Sequence, residues 1–359
     1  MASLTEAVVL DALRAIQDPD LHKDIVALGF VKNVRIDGGR VALTIELTTP
    51  ACPVKDMMRD QAHAILVGLG ATHVDVEMTA QVRAAVRPDG QRAPVDGVKN
   101  IIAVGAGKGG VGKTTVAVNL AVALARRGSR VGLLDADMYG PNVPIMLGVK
   151  TQLETDGKKI VPAERYGLQA VSIGFLTPDD APVIWRGPML HGAVTQFFRD
   201  VRWTAVDYLI VDMPPGTGDI ALSLSQSVPV AGAVVVTTPQ AVSLADTRRA
   251  VLMYRKLNIP VIGVIENMSH FVCPQCSHES DIFGKGGGEA LAADMSVPFL
   301  GRIPLYEPVR SGGDSGVPIV VGEPESPAAK ALMAAADRAA QQVSIASFAR
   351  GPIPLTPVG

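Results

Sequence analysis

Residues 107–115, Gly-Lys-Gly-Gly-Val-Gly-Lys-Thr-Thr, constrain the fold of this chain more than any other stretch. The spacing Gly107-x-x-x-x-Gly112-Lys113-Thr114 is that of a phosphate-binding loop. Such a loop works only between a strand and a helix, and both flanks fit: the apolar run 101–105 precedes it, and 113–127 follows with helical character. Glycines let backbone N–H groups converge on phosphate oxygens with no Cβ in the way. Lys113 would neutralise the β and γ phosphates, and Thr114 would offer its hydroxyl to Mg²⁺. The helix start adds a field that favours anions. Gly107, Lys108, Gly109, Gly110, Val111, Gly112, Lys113, Thr114 and Thr115 are therefore the expected nucleotide cradle.

The rest of the chain agrees with that anchor. Apolar strands are expected at 101–105, 130–135, 207–212, 231–237, 260–266 and 297–301. Helices are expected between and after them at 113–127, 188–200, 217–227, 243–257, 285–294 and 326–343. Near-continuous apolar strands alternating with helices imply an α/β fold with a parallel sheet covered on both faces. Ahead of it, residues 1–86 read as a small α/β domain. A helix at Leu4–Ile16 precedes strands at Val31–Ile36 and Val41–Leu47, which flank the turn Asp37-Gly38-Gly39. A helix at Asp56–Gly68 and a strand at Thr72–Met78 complete the unit. Residues 87–99, polar and rich in Pro and Gly, read as a linker. The main domain is expected over 100–345, and 346–359 as a proline-rich disordered tail.

Three carboxylates stand where strands end. Asp135 and Asp137 close one apolar strand and Asp212 closes another, at the ligand-binding edge of an open α/β sheet. The alternative for each alone is a mere cap for the following loop or helix, a reading their shared placement weakens. Asn267 follows the strand 260–266.

The chain has three cysteines, Cys52, Cys273 and Cys276, too few for a disulfide framework. Cys273-Pro-Gln-Cys276 brings two thiolates close enough to share one metal or cluster. One such pair supplies two ligands, whereas a closed zinc site or a cubane cluster takes four. Three solutions stay open. His270 and His278 would complete a zinc knuckle, the pair would be a redox couple, or two chains would each give Cys273 and Cys276 to one cluster. Cys52 lies in a Thr-Pro-Ala-Cys-Pro turn ahead of a helix, a setting that favours the thiolate; the alternative is a buried apolar thiol.

Composition excludes several classes. A net charge of −2 gives no chain-wide surface for nucleic acid or anionic lipid. Aromatics make up only 4%, which argues against single-strand stacking platforms. No apolar run is long enough for a membrane span, and the first residues lack the basic start and apolar core of a signal peptide. The expectation is a cytoplasmic protein with no nucleic acid and no membrane as partner.

The segments GKGGVGKTT, DADMYGPNVPIMLG, VIWRGPM, VDMPPGTGD, VTTPQAVSLAD, IENMSHFVCPQC, IFGKGGGEALA and GRIPLYEPVR together resemble the Mrp/ApbC-type iron–sulfur cluster carrier ATPases. These belong to the MinD/ParA class of deviant Walker A P-loop proteins. The N-terminal unit, with LTTPACPVKDMM, resembles a domain found in cluster-assembly factors. The resemblance implies that Lys108 reaches a nucleotide across a dimer interface, that Lys113 and Asp137 act in hydrolysis, and that Asp137 orients the attacking water. It further implies that Asp212 faces Mg²⁺, that Gly216 senses the γ-phosphate, and that Asn267 contacts the base. It implies a homodimer holding a [4Fe–4S] cluster through Cys273 and Cys276, with ATP modulating delivery to apo iron–sulfur proteins and traffic with assembly factors. Two other readings follow from the same loop: a spatial-organisation ATPase like MinD or ParA, and a zinc-binding P-loop ATPase. The proline-rich end does not form the amphipathic membrane helix a MinD-type protein would carry. A reductase like the nitrogenase iron protein is disfavoured, because its cluster cysteines are well separated in sequence.

Overall fold

In the computed structural model, described for residues 4–85, 92–138, 140–150, 152–175, 187–216, 218–273, 275, 276 and 278–349, the chain forms two compact units. The first comprises residues 1–83 together with 344–359, the second residues 84–343.

In the first unit, α1 (Glu6–Leu13) leads through a short antiparallel pair, β1 (Gln17–Asp18) and β2 (Lys23–Asp24), to β3 (Val31–Asp37). β4 (Arg40–Leu47), α2 (Lys55–Gly68) and β5 (His73–Ala80) follow. The sheet order is β3-β4-β5, antiparallel and then parallel. α1 is shorter than the spacing suggests. Thr5 caps it by accepting the Val8 N–H, and past Leu13 the chain turns into β1. Asp18 then closes the β1–β2 turn by accepting the N–H groups of Asp20 and Leu21, each at 2.9 Å. The alternating residues Val41, Leu43, Ile45 and Leu47 of β4 pack on Val9, Leu13, Met58, Ala62 and Leu66 from the helices.

The second unit is an eight-stranded sheet of order β15-β12-β11-β6-β10-β7-β9-β8. Its elements begin with β6 (Val98–Ala106), α3 (Lys113–Arg126), β7 (Val131–Asp135) and α4 (Val143–Leu147). Next come β8 (Ala163–Arg165), β9 (Leu168–Ser172), α5 (Gly187–Arg199), β10 (Val206–Asp212) and α6 (Asp219–Ser227). β11 (Gly232–Thr237), α7 (Ala241–Lys256), β12 (Val261–Glu266), β13 (Phe271–Val272) and β14 (Glu279–Ser280) follow. α8 (Gly287–Asp294), β15 (Phe299–Arg302), α9 (Glu307–Ser315), α10 (Ile319–Gly322) and α11 (Pro327–Ala349) complete the chain. Every neighbouring pair in this sheet is parallel except β8–β9.

β7, β10 and β11 are buried along their whole length, as strands covered on both faces must be. The order has a functional consequence. β6 leads into the phosphate loop, and the chain then skips one position to β7, leaving β10 between them. The carboxyl ends of β6, β10 and β7 are thus neighbours, at the crevice where α/β sheets bind ligands.

Several boundaries depart from expectation. β6 begins at Val98, so the end of the expected linker is strand, while residues 86–91 lie outside the described part. α11 runs to Ala349, into the expected tail, because Phe348 packs edge-on against Phe30 at 6.0 Å between ring centres. Residues 350–359 of that tail lie outside the described part. The hairpin β8–β9 was not anticipated. It turns at Tyr166 and Gly167, both at positive φ, which suits the twist of an antiparallel pair.

Candidate functional site

The phosphate loop runs between the end of β6 and the start of α3, as the sequence spacing requires. Two glycines have structural reasons. A Cβ on Gly107 would lie 2.3 Å from backbone atoms of Asp246 in α7. Gly112 sits at φ +78, where a Cβ would stand 2.3 Å from Asn267 Nδ2.

Lys113 and Thr114, the first residues of α3, turn towards the ends of β7 and β10. Lys113, only 7% exposed, donates to Asp212 Oδ1 at 2.5 Å and lies 3.7 Å from Asp137 Oδ2. Thr114 Oγ1 donates to Asp212 Oδ2 at 2.7 Å. Asp212 is fully buried. Burial pushes its carboxyl upward, and the Lys113 ammonium and Thr114 hydroxyl pull it back towards the ionised form.

Asp135 and Asp137 separate into different tasks. Asp135 is fully buried and accepts the N–H groups of Asp137 at 3.1 Å and Val143 at 3.3 Å, and the Ser172 hydroxyl at 2.9 Å. Burial, and secondarily the charge of Asp212, pushes Asp135 up to about 7. It shapes the loop that presents Asp137, whose side chain keeps 13% exposure at the mouth. Gly216, just past β10, reaches the end of β6: its N–H donates to the Ala106 carbonyl at 3.0 Å, and its φ is +91.

Lys108 is half-buried and makes no hydrogen bond or ion pair among the described residues. The Asn267 side chain donates from Nδ2 to the Val111 carbonyl at 2.8 Å, so it braces the phosphate loop. Thr115 lies in the first turn of α3, where its carbonyl accepts the Asn119 amide at 2.9 Å.

The cysteine pair sits elsewhere, at the turn of the hairpin β13–β14. The Cys273 N–H donates to the His278 carbonyl at 3.0 Å. The Cys273 sulfur accepts backbone N–H groups of Cys276 and Gln275, and these hold its thiol below the ordinary range. Cys273 is half-buried and Cys276 exposed. His270 Nδ1 is occupied by the Ser269 hydroxyl at 2.8 Å. Among the described residues no three His, Cys, Asp or Glu side chains gather in a metal-binding group. Cys52 is half-buried in the turn ahead of α2 and packs against the apolar core of the first unit.

Two buried residues beside these sites escaped the sequence. Ser172 gave no signal, being one serine at the end of an unanticipated strand. Glu266 is a fully buried carboxylate that accepts backbone N–H groups of Gly286 and Gly288. Its signal was there to read: a lone acid closing the apolar strand Val-Ile-Gly-Val-Ile-Glu.

A parallel sheet whose central strand feeds a glycine loop, with a lysine, a threonine and carboxylates gathered at the strand ends, defines a P-loop nucleoside triphosphatase of the deviant Walker A class. The chain belongs to the NUBPL iron-transfer P-loop NTPase family of ParA type, whose profile matches residues 97–340. Residues 6–78 match the iron–sulfur cluster assembly protein family. The iron–sulfur cluster carrier protein of Synechocystis sp. is 51% identical over 353 residues, 96% of this chain and 99% of that protein. Among solved structures, the ADP-bound nucleotide-binding protein of Archaeoglobus fulgidus is 36% identical with a TM-score of 0.57, covering 65% of this chain and 91% of that one. The cell division ATPase MinD of Pyrococcus furiosus is 26% identical with a TM-score of 0.51, covering 67% of this chain and 97% of that one. Among the described residues no helix is long and apolar enough to cross a membrane.

Proposed function

We propose that two copies of this chain hold one [4Fe–4S] cluster between their cysteine hairpins, and that ATP binding and hydrolysis control its delivery to apo iron–sulfur proteins in the cytoplasm. The observation that carries this reading is a site with half its ligands. Cys273 and Cys276 share one turn, Cys276 is exposed, and no third ligand joins them among the described residues. A cubane cluster takes four thiolates, so a second hairpin supplies the other two. The same absence of a third ligand among the described residues weighs against a zinc knuckle within one chain. The naming of close relatives as cluster carriers, and the assembly-factor match of residues 6–78, support the cargo and the exchange with assembly factors.

At the nucleotide, Gly107, Gly109, Gly110, Val111 and Gly112 offer backbone N–H groups, and Thr115 extends the cradle into α3. Lys113 moves its ammonium from Asp212 and Asp137 to the β and γ phosphate oxygens. Thr114 and Asp212 are hard oxygen donors already 2.7 Å apart, which suits them to hold Mg²⁺. The bound ion would neutralise phosphate charge. Asp137 orients a water whose oxygen attacks the γ phosphorus as the bond to the β–γ bridging oxygen breaks. Lys108, without a partner in its own chain among the described residues, enters the partner's site and meets the charge that develops there. Asn267 contacts the base.

The test is anaerobic reconstitution of the full chain with iron and sulfide. Broad visible absorbance and four irons per dimer are expected, both lost in Cys273→Ala/Cys276→Ala. Equal iron uptake by that variant would sink the assignment.

A further inference from the structure

The excursion that carries Cys273 and Cys276 leaves the sheet at the end of β12 and returns at the start of α8. One buried side chain closes its base. Glu266 accepts the Gly286 N–H on Oε1 at 3.1 Å and the Gly288 N–H on Oε2 at 2.6 Å. The next residue, Asn267, is fixed to the phosphate loop through the Val111 carbonyl at 2.8 Å. Two consecutive residues thus face opposite duties, one towards the nucleotide and one towards the cysteines. From Asn267 the path onward is short and tied down. Met268 adopts φ +53, the Ser269 N–H and hydroxyl both donate to the Ile303 carbonyl, and the His270 carbonyl accepts the Leu305 N–H at 2.6 Å. β13 begins at the next residue.

A second observation shows that the closure has a bond left unmade. Arg302 lies opposite Glu266 in the β12–β15 register. Its Nε is buried with no hydrogen-bond partner among the described residues, 3.7 Å from Glu266 Oε1. A buried donor left unmade is costly, and this one is about 0.8 Å beyond bonding distance. A carboxylate oxygen accepts two hydrogen bonds, so Glu266 Oε1 keeps the Gly286 N–H and takes the Arg302 Nε–H as well after a small shift. Before that shift Arg302 is held through its Nη2 by Glu289; after it, Arg302 also ties β15 to the base of the cysteine excursion. Interchange between two discrete bonding patterns is what an element needs to act as a switch.

The geometry points to Glu266 and Asn267 as the element that couples nucleotide to the cysteine pair, with the Arg302 Nε–H bond, unmade or made, as its two states. Displacement of Val111 and Gly112 by phosphate moves Asn267, and the end of β12 moves with it. That motion makes or breaks the Arg302 Nε–H bond to Glu266 Oε1. The inference rests on nucleotide binding at the phosphate loop and deepens the function proposed above. It does not require that the cargo be a cluster.

The experiment uses the full chain, reduced and metal-free, with and without a saturating non-hydrolysable ATP analogue and Mg²⁺. Alkylation rates at Cys273 and Cys276 are followed residue by residue by mass spectrometry. In the parent protein the analogue should change these rates by about fivefold or more. In Glu266→Gln, which puts an amide N–H where an acceptor is needed, the change should fall below about twofold while analogue affinity stays within about twofold. Arg302→Lys keeps the charge, removes the Nε–H and should lose the response as well; it decides the matter if Glu266→Gln does not fold. A response of parental size in folded Arg302→Lys, or no response in the parent, overturns the inference. Failure of iron uptake would instead count against the cluster assignment and leave these rates readable.

Discussion

Lys113 stands between Asp212 at 2.5 Å and Asp137 at 3.7 Å, so its ammonium balances two carboxylates. Lys113→Ala should weaken ATP-analogue binding by about 10- to 100-fold, the value of one or two charge-assisted bonds, read by titration. It should also tilt stability with pH. Without the ammonium, buried Asp212 sits further above its unfolded value, so the folded state binds a proton that the unfolded chain releases. Stability then falls as pH rises, and the loss of Tm relative to the parent should be larger at pH 8 than at pH 5. A loss independent of pH would count against this charge balance. Lys108 is the contrasting case. Lys108→Ala should leave analogue affinity within a fewfold and slow hydrolysis by about 10³-fold, as loss of a finger-like cation does. Hydrolysis at the parental rate would exclude a trans role. For Cys273, N–H groups from Cys276 and Gln275 favour the thiolate. Its alkylation in the metal-free protein should therefore persist as pH falls below the ordinary thiol range, with a midpoint below that of a free cysteine under the same conditions. A midpoint above that value would show that these N–H groups do not hold the thiolate.

At the scale of elements, the phosphate loop is wedged between α7 and the residues that follow β12. Gly107 meets the backbone of α7 at Asp246, which cannot move aside as a side chain can. Gly107→Ala should cost about 1–3 kcal/mol in denaturant unfolding and abolish nucleotide binding, because the clash shifts the cradle itself. Gly110 has open space around its Cβ position but φ +81, so Gly110→Ala should cost only about 1–2 kcal/mol. Equal effects on binding would show that backbone conformation, not the approach of α7, governs the loop. α3 is fastened from its other end as well: Arg127 makes a two-pronged pair with Asp337 of α11 at 2.9 and 2.7 Å.

For the molecule as a whole, the proposed sharing of a cluster between two cysteine pairs makes assembly the property to measure, since no third ligand joins Cys273 and Cys276 among the described residues. Iron loading should convert a monomer–dimer mixture to dimer in light scattering, and the double cysteine variant should lose that shift. A monomer at every nucleotide and iron concentration would remove the bridging mechanism. The second unit carries every residue of the nucleotide site and the hairpin, while Cys52 lies in the first.

The sequence by itself determined the local parts of this protein. The phosphate loop, the apolar strands that end at Asp135 and Asp212, the helix after Gly112 and the proximity of Cys273 to Cys276 all follow from spacing along a few consecutive residues. Backbone conformation and burial pattern respond to neighbours in the chain, so such features can be read one segment at a time. Only the tertiary structure decided which distant groups meet: Asn267 with Val111, Ser172 with Asp135, Thr114 with Asp212, and Glu266 with Gly286 beside Arg302. Those contacts depend on strand order and register, which bring together residues far apart in sequence. No local periodicity records that order, and so Asp135 and Asp137 looked alike until the fold buried one and left the other at the mouth of the site.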